Sequence, residues 1–135
     1  MKTTASVIFF LLGLVIRSDG QEIFEQKNDE FVRSLDQSYL QGLLFLQNTQ
    51  GEDGRWTDSS YGSEPGVLGM AVLAFLSRGD DPEFGPFSHS LTKATRQILT
   101  QQNKETGYIG SSMYNHGFAT LALAEYYGVT NDAEI

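Results

Sequence analysis

Two segments of this chain are apolar on almost every side of a helix, and each is a version of the other. Gly69-Met70-Ala71-Val72-Leu73-Ala74 aligns with Gly117-Phe118-Ala119-Thr120-Leu121-Ala122, 48 residues further on. A helix without a polar face has to be covered by other helices. A repeat of this length is that of stacked helical hairpins. The small residues Gly69, Ala71, Gly117 and Ala119 would let two such helices approach closely.

The segments between them have a different character. Residues 36–50 place Tyr39, Leu40, Leu43, Leu44 and Leu46 at three- and four-residue steps, and residues 86–102 do the same with Phe87, Leu91, Ala94, Ile98 and Leu99. Both read as amphipathic helices with one buried face. The apolar helices are expected over residues 66–78, after Pro65 and before Gly79, and over 115–127, capped by Asn115 and ended by Gly128. The sequence therefore predicts an all-α fold of two helical hairpins, at about residues 35–80 and 84–128, with apolar helices inside and amphipathic ones outside. The connectors echo each other, from Gln47 through Gly54 and from Gln102 through Gly107, the second being two residues shorter.

At the N-terminus, Lys2 precedes an apolar run at residues 7–16, and Ser18 and Gly20 supply small residues for cleavage. The run is short for a spanning helix, which needs roughly 20 apolar residues. Residues 1–20 read as a signal peptide and 21–135 as one domain of an exported protein, periplasmic or secreted. The chain has no cysteine, so neither disulfides nor thiolate chemistry is available to it. Its net charge is −8. With no cluster of Lys and Arg, that charge argues against nucleic acid as a partner.

Two stretches resemble a known superfamily. Leu46-Gln47 followed by Gly54-Arg55-Trp56 resembles the Gln…Gly-x-Trp repeat of squalene and oxidosqualene cyclases. Met113-Tyr114-Asn115-His116-Gly117-Phe118-Ala119-Thr120-Leu121-Ala122-Leu123 is similar to a segment near the C-terminal end of squalene-hopene cyclases and to prenyltransferase/squalene-oxidase repeat proteins. The likeness spans about residues 35–128. It implies part of an α/α-toroid, with Gln47, Gly54, Trp56, Gln102 and Gly107 as structural repeat residues. The second connector departs from the pattern, offering Tyr108 or Ile109 where tryptophan is expected.

The resemblance also implies a bulky apolar substrate such as an isoprenoid, against walls supplied by Phe75, Phe118 and Tyr114. The acid motif Asp-x-Asp-Asp of the hopene-forming members is absent, and the runs Glu52-Asp53, Asp80-Asp81 and Asp132-Ala133-Glu134 read as solvated turn residues. The zinc set of protein prenyltransferases needs a cysteine, so no metal and no cofactor is expected. His116 near a helix start, with Asn115 and Tyr114, forms one candidate ligand-binding cluster. Tyr61 and Glu64, at the equivalent place in the first unit, form the other, and the two are expected to face one site. His89 reads as a surface residue.

Two functions stay open on these residues. One is an enzyme of the cyclase and prenyltransferase kind acting on an apolar substrate in a complete toroid. The other is a non-catalytic secreted repeat module that binds a ligand or a partner protein. Residues 130–135 read as an N-cap and the opening of a further helix. Both apolar helices are therefore expected to expose flanks that further repeats or self-association would cover.

Overall fold

The computed structural model describes residues 19–57 and 60–135, with side chains from residue 28. The signal-peptide expectation falls almost wholly on residues outside this range. Among the described residues the protein is all-helical, with four helices and no strand: α1 (Asp19–Thr49), α2 (Pro65–Leu76), α3 (Ser88–Thr100) and α4 (Met113–Thr130). Contacts divide the described residues into two units, with the boundary between Tyr39 and Leu40. In the first unit, the α1 side chains from Asn28 to Tyr39 are all exposed, Phe31, Val32 and Leu35 among them. Tyr39, expected on a buried face, is exposed as well.

The second unit holds the core. Pro65 opens α2 at its first position, where a missing N–H costs nothing. Leu68, Val72 and Phe75 are then buried one turn apart. Burial of each such side chain is worth about 1.5–3 kcal/mol, which makes α2 the central element. It packs chiefly on α4 and next on α3, whereas α3 and α4 touch little. Leu43 of α1, Leu91 and Ile98 of α3, and Ala119 and Leu123 of α4 close the same core.

Small residues set the approach of α2 to α4. A Cβ placed on Gly69 would stand 2.6 Å from the backbone oxygen of Phe118, closer than two such atoms can lie. Only glycine fits there.

Several expectations change. Phe75 is not a cavity wall: it lies in the core, its ring centroid 5.4 Å from that of Phe87. The helix expected from Asn115 begins two residues earlier, because the Ser112 hydroxyl accepts the Asn115 N–H at 3.2 Å and takes the cap. It also runs past Gly128, ending at Asn131 in the left-handed region with φ 53°. Residues 132–135 form a single turn, in which the Asp132 carboxylate accepts the Glu134 N–H at 3.0 Å and the Asp132 carbonyl accepts the Ile135 N–H at 3.1 Å. Asp132 and Glu134 both pair with Arg96 of α3, which draws the segment back onto the unit. Nor is α4 covered all round: it buries the single stripe Asn115, Ala119, Ala122, Leu123 and Tyr126. Met113, Tyr114, Leu121, Tyr127 and Val129 remain exposed. Of α2, expected to show a bare flank, little more than Met70 is exposed.

The two connectors share a hydrogen-bond pattern. The Gly51 N–H donates to Arg55 O at 2.8 Å and that of Gly54 to Gly51 O at 3.0 Å. In the second, the Asn103 N–H donates to Tyr108 O and that of Gly107 to Asn103 O, each at 2.8 Å. Gly54 and Gly107 thus correspond, with φ +83° and +74°. Measured between these bonds the second loop is one residue longer, not two shorter. The position of buried Trp56 is taken by buried Ile109.

Candidate functional site

A cleft of about 520 Å³ opens where the N-terminal ends of α2 and α4 meet, lined by Tyr61, Glu64, Val67, Ser111, Ser112, Tyr114 and Asn115. Its floor is one buried side chain. Asn115 Oδ1 accepts the Gly66 N–H at 3.2 Å, and Asn115 Nδ2 donates to Glu64 Oε2 at 2.5 Å. The Gly66 N–H is one of the donors left without an intrahelical partner at the start of α2. Glu64, at the N-cap position, makes no capping bond of its own. The cap for α2 is therefore supplied by α4. The reason lies in the local sequence: Ser112 caps α4, and this frees the Asn115 side chain to cross to the other helix.

Two aromatic rings stand over this floor. The turn closed by the Glu64 N–H on Tyr61 O, at 2.9 Å, leaves Tyr61 72% exposed, and Tyr114 is 54% exposed. Tyr114 packs on Phe118 with ring centroids 4.9 Å apart. Glu64 spends one oxygen on Asn115, and a carboxylate has acceptor capacity beyond one bond. The cleft thus offers apolar ring faces, the hydroxyls of Ser111 and Ser112, and an anchored acceptor.

His116 does not join this group. It points to the other side of α4, where its ring stacks on Tyr108 at 4.4 Å and its Nδ1 accepts the Ile109 N–H at 3.2 Å. With Nδ1 accepting, the proton of the neutral ring is assigned to Nε2. His116 thereby anchors the second connector to α4. It also lines a separate groove of about 460 Å³ with Gln102, Gly107, Thr120, Leu123 and Tyr127. His89 is exposed on α3.

The residues put forward as structural have these surroundings. The Trp56 indole N–H donates to Leu46 O at 2.9 Å, in a side chain that is 6% exposed. Gln47 Nε2 donates to Pro86 O at 3.0 Å. Two glutamines passed over in the sequence tie connectors as well. Gln50 Nε2 donates to Gly54 O at 3.2 Å and to Ser90 O at 3.0 Å, and Gln101 Nε2 donates to Ser63 O at 3.0 Å. Gln102 accepts from Lys104 Nζ at 3.2 Å.

The acidic runs have local partners. Asp53 lies 3.7 Å from Arg55, Glu52 4.0 Å from Lys93 and Asp80 3.5 Å from Arg78, while Asp81 Oδ1 accepts from the backbone of Glu83 and Phe84. Among the described residues no group of three or more His, Cys, Asp and Glu side chains could hold a metal ion. Among the described residues, no helix is long and apolar enough to cross a membrane. Ser111, Ser112 and Val67 were missed as cleft residues, and the Ser112-x-x-Asn115 spacing is the signal that could have found the cap. No protein-family model, curated protein or solved structure matches the chain.

Proposed function

We propose that this chain is a ligand-binding helical repeat module. Its ligand lies between the helix starts at Glu64 and Asn115, with a bulky apolar body against Tyr61 and Tyr114 and one donor group at Glu64. The observation that carries this reading is the Asn115 bridge, which fixes a carboxylate beneath two exposed rings. A pocket with mostly apolar walls and a few placed polar groups is the usual form of a small-molecule site. Elsewhere on the unit, the carboxylates of the acidic runs face basic side chains or turn N–H groups.

The shared pattern of the two connectors and the side-by-side packing of α2 and α4 support the finer reading of the fold as part of an α/α-toroid of the squalene-cyclase and prenyltransferase kind. That reading makes an isoprenoid the first ligand to try. Lys2, the apolar run at 7–16 and Gly20 support export.

Farnesol combines a branched apolar chain with one hydroxyl and serves as the probe. Titrated below its aggregation threshold, it is expected to shift the backbone amide resonances of Tyr61, Glu64, Ser111 and Ser112. Shifts confined to the α4 groove around Thr120 and Tyr127, or none at all, would refute the assignment of the cleft.

A further inference from the structure

The two halves of the second unit meet through an interface whose two sides recur at opposite ends of the same unit, where nothing within that unit's described residues covers them. On one side of that interface, Gly54 and Gly69 receive backbone from the following half. A Cβ on Gly54 would stand 2.5 Å from Lys93 O, and one on Gly69 2.6 Å from Phe118 O. Their counterparts one repeat later are Gly107 and Gly117. Among the described residues, a Cβ on either would meet nothing within 4 Å. Within them the receiving surface is present a second time, without a partner seated on it.

The inserting surface is duplicated too. Gly42, Leu46 and Gln50 of α1 recur as Ala94, Ile98 and Gln102, 52 residues later. Ala94 is fully buried where it meets Gly54, while Gly42 has nothing within 4 Å of its Cβ position. Phe45, Val67 and Met70 line an open groove of about 320 Å³. Their counterparts are Gln97, Asn115 and Phe118, which lie against the first half in the covered interface. Phe45 is 62% exposed, whereas Gln97 is buried.

We infer that a second copy of this chain docks head to tail, seating the α1–α2 groove of one copy on the exposed α4 face of the other. In this arrangement Gly117 meets the backbone of Met70 and Ala71, as Gly69 meets that of Phe118 and Ala119. Gly107 meets α1 near Gly42, as Gly54 meets α3 near Ala94. The groove beside Thr120 and Tyr127 takes the C-terminal part of α1. The occupant is a copy of this chain because the complementary face needed to fill the α4 side is present on it, and the interface it would make is one the chain already contains. Such a contact is heterologous, so it propagates to longer assemblies or closes into a ring.

Sedimentation velocity of the purified full chain tests this with two glycine variants whose new side chains meet open space in the single copy. Gly117→Gln blocks the tail face and Gly42→Gln the head face. Both replace a helical glycine by a better helix former, and thermal melts followed by circular dichroism should confirm that both stay folded. Should Gly117→Gln fail to fold, Leu121→Glu blocks the same face. The wild type is expected to associate increasingly with concentration, and each variant alone to sediment as a monomer. An equimolar mixture of the two should form dimers that grow no further, since one productive interface remains. A monomeric wild type, a mixture that stays monomeric, or association that persists in both single variants would overturn the proposal. All samples carry the same residues 1–20, so the differences report on the two faces.

Discussion

Asn115 of α4 and Glu64 before α2 are joined side chain to side chain at 2.5 Å, and the same asparagine accepts the Gly66 N–H. One residue thus caps a helix 49 positions away. Replacing Asn115 by Leu keeps the bulk but leaves the Gly66 N–H buried without its acceptor. A buried unsatisfied donor costs about 1–3 kcal/mol. Urea denaturation of Asn115→Leu should show a loss in that range, and an unchanged midpoint would show that water replaces the cap freely.

Ser112 provides a comparison on the same helix. It caps α4 from an exposed position, and Ser112→Ala should cost about 0.5–2 kcal/mol. Because water can reach the exposed Ser112 site and not the buried Gly66 N–H, the loss should be the smaller of the two by the same denaturation; a larger one would contradict the role given to Asn115.

Trp56 is the one tryptophan in the sequence, and its indole is buried with its N–H on Leu46 O. Its emission should be blue-shifted in the folded protein and move to the red on unfolding. Trp56→Ala should destabilise by about 3–5 kcal/mol, as expected of a large core aromatic. Trp56→Phe should lose less, since it keeps the ring and gives up the hydrogen bond. Equal losses for the two would mean that the indole N–H rather than packing carries the effect.

Gly54 and Gly107 share a left-handed φ but not their surroundings. Within a single copy, at concentrations too low for association, alanine at Gly107 meets only the conformational cost, about 1–2 kcal/mol. Alanine at Gly54 adds a collision with Lys93 O and must push α3 away. Gly54→Ala is therefore expected to lower the melting temperature well beyond Gly107→Ala. Comparable melting temperatures would mean that α3 is not held against the connector as described.

The helices of the second unit were legible in the sequence for a physical reason, whereas α1 begins at Asp19 and not at the expected residue 36, because its side chains from Asn28 to Tyr39 are exposed and present no buried face to announce it. The apolar stripes of α1 and α3 repeat at three and four residues, and Pro65 announces α2. The candidate cluster was legible only in part. Tyr61, Glu64, Tyr114 and Asn115 do come together, because they sit at equivalent starts of two adjacent helices. His116 was grouped with them by its position in the chain, yet successive helical residues are rotated by about 100°, which turns it onto the opposite groove. The start of α4 was misplaced because Ser112 and Asn115 are both good caps, and only the three-dimensional arrangement shows that Asn115 serves α2. The coverage of α4 could not be read from its composition. An apolar helix and a covered helix look alike until the neighbours are placed.

The reading of the cleft as a ligand site is tested most directly by one measurement, the affinity of farnesol for wild type and for Tyr61→Ser, by calorimetric titration. Tyr61 is largely exposed, so the substitution should leave stability within about 0.5 kcal/mol. Loss of an aromatic wall should weaken binding about tenfold, equivalent to about 1.4 kcal/mol. A stable Tyr61→Ser protein that binds farnesol as the wild type does would contradict the account.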